Sequence, residues 1–228
     1  MKTIIFDEVA STNDELKKLK DPAEDVLMIA RRQSGGRGRS GGRGSKGRSF
    51  SCEKGGAYLS LLRLYPCKAE ESFSIMITAA VAVVRTLAAF DVTATIKWPN
   101  DIFVGDKKIC GILIENVFEG DTVARSIVGI GVNLNNPLPA ELKNTATSVY
   151  EITGRKADID TFVATLAYNL YQKYTIDEYR QSLGILGKKI KIIRGDEAFD
   201  GVAKDVLPNG NLLLESGEIL SAAEITVR

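Results

Sequence analysis

Two short stretches carry side chains able to handle a phosphate. Lys97-Trp98-Pro99-Asn100-Asp101 places a lysine, an amide and a carboxylate within five residues. Proline fixes φ, and the turn it makes points Lys97, Asn100 and Asp101 at one spot. A lysine beside a carboxylate suits a phosphate and its Mg²⁺. The plainer alternative is a loop with a surface ion pair. The second stretch, Gln33–Ser49, reads QSGGRGRSGGRGSKGRS and holds seven glycines, five basic residues and no acid. Glycine lets backbone N–H groups approach an anion, and arginine forks pair with its oxygens. Within it SGGRGR (34–39) is followed directly by SGGRGS (40–45), a near-exact duplication. Either a lid over a phosphate-bearing ligand or a basic tether for RNA fits this loop alone. Gly36-x-Gly38-x-x-Gly41 matches the dinucleotide fingerprint only in form, since no helix follows it. Lys46 is followed by Gly47, so there is no Walker A motif. Phe50, just past the loop, is placed to stack on a base or to fill the core.

Glycines in otherwise apolar strands form a third group. Ile109–Phe118 and Val123–Leu134 read as two long strands joined at Glu119-Gly120-Asp121. A turn there puts Gly111 opposite Gly129, with Gly131 nearby. Facing glycines suit a flat ligand lying on bare backbone, or else a bulge or close packing. Lys108 enters this patch on one strand and Asn133 leaves it on the other. An amide can read adenine N6 and N7 together. Ser11-Thr12-Asn13-Asp14-Glu15 reads as a helix start, with Thr12 and Glu15 as a capping box and Leu16 and Leu19 facing inward.

The rest of the chain must position these groups. Strands are expected at Thr3–Phe6, Val26–Arg31, Ala57–Leu64, Val92–Trp98 and Ile102–Val104, and a buried helix at Glu71–Phe90. Ile159, Phe162, Val163, Leu166, Leu170 and Tyr174 make one stripe of an amphipathic helix. After Gly187 come short strands with Asn209-Gly210 and Ser216-Gly217 turns, which predicts a small β-barrel. The fold class is therefore α+β, with domains at 1–183 and 184–228.

Composition narrows the chemistry. The 228 residues carry a formal charge of +1, with 44% hydrophobic and 26% charged side chains. No global field points to nucleic acid or membrane. The absence of histidine removes Ser–His and Cys–His catalysis and HExxH zinc sites. Cys52, Cys67 and Cys110 form no CxxC pair and read as free thiols of a reducing cytoplasm. The apolar run in MKTIIFDEVA is too short for a signal peptide, and Ile75–Val84 is half a membrane span at most. The expectation is a cytoplasmic protein with no membrane partner.

With these residues in view, the chain resembles the biotin–protein ligases (biotin–[acetyl-CoA-carboxylase] ligases) over residues 4–228. The likeness rests on Ser11-Thr12-Asn13, the GRGR loop, Gly55-Gly56-x-Tyr58-Leu59-Ser60, Lys97–Asp101 (KWPND), Lys108-Ile-Cys-Gly111-Ile-Leu113 and Gly129-Ile-Gly131-Val-Asn133. It implies a catalytic domain related to class II aminoacyl-tRNA synthetases with a mixed or antiparallel sheet, and a C-terminal SH3-like barrel. It implies ATP and Mg²⁺ with biotin as substrate, formation of biotinyl-5′-AMP, and transfer of biotin to a lysine of biotin carboxyl carrier protein. By the same resemblance Ser11, Thr12, Gln33, Arg37, Arg39, Lys108, Gly111 and Gly129 bind biotin. Arg37, Arg39, Phe50, Lys97, Asn100 and Asn133 bind ATP or the adenylate. Lys108, Arg39 and Asp101 are catalytic, with Asp101 also facing Mg²⁺. Phe50 stands where the family usually has tryptophan. Cys52-Glu53 replaces the usual Ser-Pro, which is expected to loosen the hinge of the loop. The duplication leaves two registers for the GRGR motif, and only Gly36–Arg39 keeps both arginines. The chain starts at the first catalytic strand, so no DNA partner is expected; a homodimer is possible. A lipoate–protein ligase and an RGG-type RNA-binding protein are the competing readings.

Overall fold

The computed structural model describes residues 1–36, 38, 50–64, 66–194 and 197–222, and the backbone of 225–227. Two sheets are present. The larger contains β1 (Lys2–Phe6), β2 (Val26–Ala30), β3 (Ala57–Arg63), β4 (Cys67–Lys68), β5 (Thr95–Lys97), β6 (Asp101–Val104), β7 (Lys107–Glu119) and β8 (Thr122–Val132). Its order is β1-β2-β3-β8-β7-β6-β5, with β4 paired to β8. Only β1–β2 is parallel; the other pairs run antiparallel. The helices are α1 (Thr12–Lys17), α2 (Phe73–Ala89), α3 (Val149–Thr153), α4 (Ile159–Asn169) and α5 (Ile176–Ser182). The C-terminal sheet holds β9 (Lys189–Arg194), β10 (Glu197–Val206), β11 (Leu212–Leu214), β12 (Ile219–Leu220) and β13 (Ile225–Val227), in the order β12-β11-β10-β9-β13. This is the α+β architecture expected, with a separate antiparallel sheet at the C-terminal end.

One face of the large sheet is dry. Leu59 and Leu61 of β3, Val128, Ile130 and Val132 of β8, and Cys110 and Ile112 of β7 are buried beneath Ile77, Ala79–Val83 and Leu87 of α2. Residues 69–89 are apolar enough to pass for a membrane span, yet here α2 packs into this core. The predicted stripe of α4 is buried at Phe162, Val163 and Leu166, and the burial of each such side chain is worth about 1.5–3 kcal/mol. The helix ends at Asn169, before Tyr174.

Three local expectations need correction. The strand from Val92 is regular only over Thr95–Lys97. Helix α5 lies outside the expected elements, although Thr175 and Glu178 supply both halves of a capping box. The β7–β8 register also differs: Gly111 pairs with Gly131, and Gly129 with Leu113. A tight turn pairs Glu119 with Thr122, and a bulge then steps from Phe118↔Val123 to Val117↔Arg125. Ala124 is the extra residue, and one extra residue shifts every later pair.

The C-terminal sheet is fastened beside the Lys97–Asp101 turn. Trp98 is buried and donates from Nε1 to the carbonyl of Gly210 at 2.9 Å. Arg180 of α5 donates to the Val206 carbonyl from Nε and Nη2, at 3.1 and 2.7 Å. Tyr179 donates its hydroxyl to the Pro99 carbonyl at 2.8 Å. Gly210 has φ +87°, and a Cβ there would overlap the Phe73 ring. Gly210→Ala is therefore expected to cost about 2–4 kcal/mol, read as a lower urea midpoint, through combined strain and overpacking.

Candidate functional site

The opposite face of the sheet holds the chemistry-bearing residues, in two adjacent rows. Cross-strand pairing aligns Lys97, Asp101, Gly111, Gly131 and Tyr58 in one row. It aligns Leu113, Gly129, Ser60 and Met28 in the next. Rows two residues apart along a strand are about 7 Å apart.

The second row carries a buried polar cluster. Ser11, not Thr12, is the N-cap of α1, and its Oγ accepts from Asp14 N at 3.4 Å. The capping box expected of Thr12 and Glu15 is not formed, because Thr12 is already inside the first turn and its hydroxyl points to the sheet. Thr12 donates its backbone N–H to Gln33 Oε1 at 2.8 Å, and its Oγ1 lies 3.1 Å from that same oxygen and 2.6 Å from Ser60 Oγ. Ser60 donates to Asn13 Oδ1 at 2.5 Å. Asn13 donates from Nδ2 to Glu115 Oε2 at 2.8 Å, and Lys17 pairs with Glu115 Oε1 at 2.6 Å. The Asn13 carboxamide occupies the space a Cβ at Gly129 would take. Gly129 thus contributes to the site by admitting Asn13. Asn13, Ser60 and Glu115 were assigned no role from sequence; only the cross-strand register brings them together.

Gln33 is oriented from the other side by Cys52. Its Nε2 donates to the Cys52 sulfur at 3.2 Å, and that thiol donates to the Phe50 carbonyl at 3.4 Å. Cys52 is buried, and its hydrogen bonds tie Phe50 and Gln33 together. Burial pushes its pKa up to about 11, against the opposing effect of the Gln33 hydrogen bond. At pH 8 about 0.1% is thiolate, so Cys52 is expected to resist alkylation. Cys110 is buried with its thiol pKa raised by the same cause, and Cys67 is the one of the three that is not buried. Iodoacetamide at pH 8 should modify Cys67 first, as read by peptide mass mapping.

The first row is the charged end. Lys108 Nζ and Asp101 Oδ1 form an ion pair at 2.7 Å, each side chain retaining nearly a third of its exposure. The Phe50 ring lies over the Gly111–Gly131 pair, where a Cβ on Gly131 would come within 2.8 Å of it. Lys108 Nζ is 5.7 Å from the centre of that ring. Lys97 faces the same side, 4.8 Å from the Phe103 ring centre. Asn100 is turned inward instead: its Nδ2 donates to the Ile112 carbonyl at 2.7 Å. Asn133 is buried, donates to the Thr147 carbonyl and accepts from Asn136 Nδ2, both at 3.1 Å. An adenine contact by Asn133 therefore calls on the second hydrogen of its amide. Among the described residues no cluster of three His, Cys, Asp or Glu could cage a metal. Arg37, Arg39 and Arg43 lie outside the described residues.

Such a face joins a buried polar cluster, a glycine pair beneath the Phe50 ring and a lysine–carboxylate pair on one antiparallel sheet. It sets hydrogen-bonding groups able to hold a polar head one row from a cation able to neutralise an anion. A model of the Biotin/lipoate A/B protein ligase family matches residues 5–133, and the chain belongs to that family. It is 32% identical to the bifunctional ligase/repressor BirA of Bacillus subtilis, over 94% of this chain and 70% of that protein. It is 32% identical to the biotin–[acetyl-CoA-carboxylase] ligase of Paracoccus denitrificans, over 69% of this chain and 66% of that one. The chain thus spans about two thirds of the length of these relatives. A biotin protein ligase from Aquifex aeolicus, solved with biotin and ATP, superposes with a TM-score of 0.80 at 27% identity, covering 100% of this chain and 98% of that one.

Proposed function

We propose that the chain is an ATP-dependent biotin–protein ligase that transfers biotin to a lysine of biotin carboxyl carrier protein. The observation that carries this reading is the placement of the Lys108–Asp101 pair one row from the Ser11–Thr12–Gln33 cluster. Biotin has the same layout: a polar ureido ring at one end and a carboxylate at the other. A dithiolane ring, as in lipoate, offers no N–H to the Thr12–Gln33 end. In this reading Ser11, Thr12 and Gln33 hold the ureido group. Gly111 and Gly131 seat the Phe50 ring, which borders the ligand, and Gly129 acts through Asn13. Lys108 neutralises the biotin carboxylate and the α-phosphate that it must approach. A carboxylate oxygen bonds to the α-phosphorus while the bond to the bridging oxygen breaks, and pyrophosphate leaves. The carrier lysine then attacks the acyl carbon and AMP leaves.

Lys97 and Asp101 face the ATP phosphates, while Asn100 and Asn133 shape the nucleotide end largely through the backbone they hold. A single carboxylate already paired to lysine suits a Mg²⁺ held mainly by phosphate oxygens and water. Asp101 would hold such an ion, which would offset phosphate charge. Arg37 and Arg39 supply further cations to the adenylate. Arg39→Gly is expected to release biotinyl-AMP at least about 10-fold faster than the unmodified protein, and Arg43→Gly less, in a ligand-chase assay. We place the boundary between catalytic and C-terminal units at 183/184, with Trp98 and Gly210 joining them.

The test is pyrophosphate release with ATP, Mg²⁺ and biotin and no carrier, followed by addition of a carrier domain. A biotin-dependent burst and labelling of one carrier lysine are expected. Release that needs lipoate and ignores biotin would overturn the reading.

A further inference from the structure

The polar cluster under Thr12 has a direction, set by which groups can only accept. A carboxylate is acceptor-only, so Glu115 requires Asn13 to present its Nδ2, at 2.8 Å. The Leu113 carbonyl, 3.4 Å from the same nitrogen, favours the same amide orientation. Asn13 Oδ1 must then face Ser60, which spends its single hydroxyl hydrogen there at 2.5 Å. Ser60 Oγ is left as an acceptor toward Thr12, 2.6 Å away. Gln33 Oε1, 3.1 Å from Thr12 Oγ1, is also an acceptor, because Gln33 Nε2 is directed to Cys52. Both neighbours of Thr12 Oγ1 therefore demand its hydrogen. Whichever takes it, Thr12 meets a ligand with a lone pair. Ser11 is the converse case: its Oγ accepts from Asp14 N, which leaves its hydrogen for donation.

We propose that Glu115, acting through Asn13 and Ser60, is a positioning residue that makes Thr12 a hydrogen-bond acceptor, so that the site selects a ligand offering an N–H beside a carbonyl. The inference rests on the biotin reading above and names the device behind its specificity. A second observation supports it independently. Gly129 stands in a central strand, where glycine costs stability, and its missing side chain makes room for Asn13. Lys17 anchors the far end at 2.6 Å from Glu115.

Isothermal titration of the full chain with biotin and with a biotin analogue tests this. The analogue carries a cyclic carbonate in place of the urea, so it keeps the carbonyl but has no N–H. The wild type is expected to prefer biotin by at least about 100-fold. Glu115→Ala leaves both amide orientations of Asn13 open. Ser60 can then donate to Thr12 and compete with the ligand N–H. Its preference should fall to about 10-fold or less, chiefly through weaker biotin binding. Glu115→Gln has one acceptor where the carboxylate has two, and the Lys17 ammonium draws it, so a donor faces Asn13 and the preference should fall as in Glu115→Ala. Asn13→Asp with Glu115→Gln sets an acceptor-only carboxylate against Ser60, held by the donor end of the introduced amide, so it should keep the preference. Thermal melts establish that each variant is folded, and the side chain of Glu115 is partly exposed, so truncation there is tolerated. An unchanged preference in Glu115→Ala, or loss of the preference in Asn13→Asp with Glu115→Gln, would overturn the proposal. Failure of the wild type to bind biotin would overturn the ligase reading itself, before any variant is compared.

Discussion

Lys108→Ala is expected to reduce biotin-dependent pyrophosphate release by about 10³-fold or more while leaving the protein folded. Two anions must meet for the first step, a carboxylate and a phosphate. Lys108 is the cation beside the glycine pair, and among the described residues it forms its ion pair with Asp101, at 2.7 Å. The pair is partly exposed, so its contribution to stability is about 1 kcal/mol or less. The thermal midpoint should therefore move by only a few degrees, about 2–4 °C. Lys108→Arg keeps the charge but spreads it over a planar fork, and should recover only part of the rate. Biotin titration separates binding from chemistry: the ureido end does not involve Lys108, so affinity should fall far less than rate. Near-normal pyrophosphate release from a folded Lys108→Ala protein would remove this lysine from the mechanism.

Gly129→Ala is expected to weaken both stability and biotin binding from a position that touches no charge. Its Cβ would overlap the Asn13 carboxamide, which is itself buried and bonded to Ser60 and Glu115. Displacing it breaks two hydrogen bonds, the one to Ser60 buried and the one to Glu115 partly so, and shifts Thr12. The expected cost is about 2–4 kcal/mol in urea unfolding, with at least about a 10-fold loss of biotin affinity. A double-mutant cycle checks the cause. Asn13→Ala removes the group the new methyl would strike, so Asn13→Ala with Gly129→Ala should be no less stable than Asn13→Ala alone. Simple additivity of the two costs would show that Gly129 serves the strand and not Asn13.

Much of the outline was legible because local rules agreed with the final packing. Phe162, Val163 and Leu166 of the stripe are buried as its spacing demands, and Ile159 packs partly buried against them. The apolar, small-residue run at 73–89 becomes the helix over the sheet. The motifs KWPND and KxxGIL fall on adjacent strands, and Lys108 and Asp101 do meet. The failures have physical causes too. The turn pairing Glu119 with Thr122 and the bulged residue Ala124 each moved the glycine register by one, and nothing in a one-dimensional pattern marks the bulge. Thr12 fits a cap by type and spacing; its partners are 21 and 48 residues away.

By itself the sequence determined which residue types are available: no histidine, one KWPND turn, a lysine beside a glycine-bearing strand, and a helix start built of small polar side chains. Those suffice to restrict the chemistry to charge neutralisation and polar recognition. Only the tertiary structure decided what each group faces. It sent the amides of Asn100 and Asn133 inward to hold backbone, though their types suit ligand contact equally well. It placed Asn13, Ser60 and Glu115, from three separated segments, in one hydrogen-bonded chain. The reason is that a hydrogen bond depends on distance and direction, which strand register and a missing Cβ control, whereas the sequence specifies only donor and acceptor types.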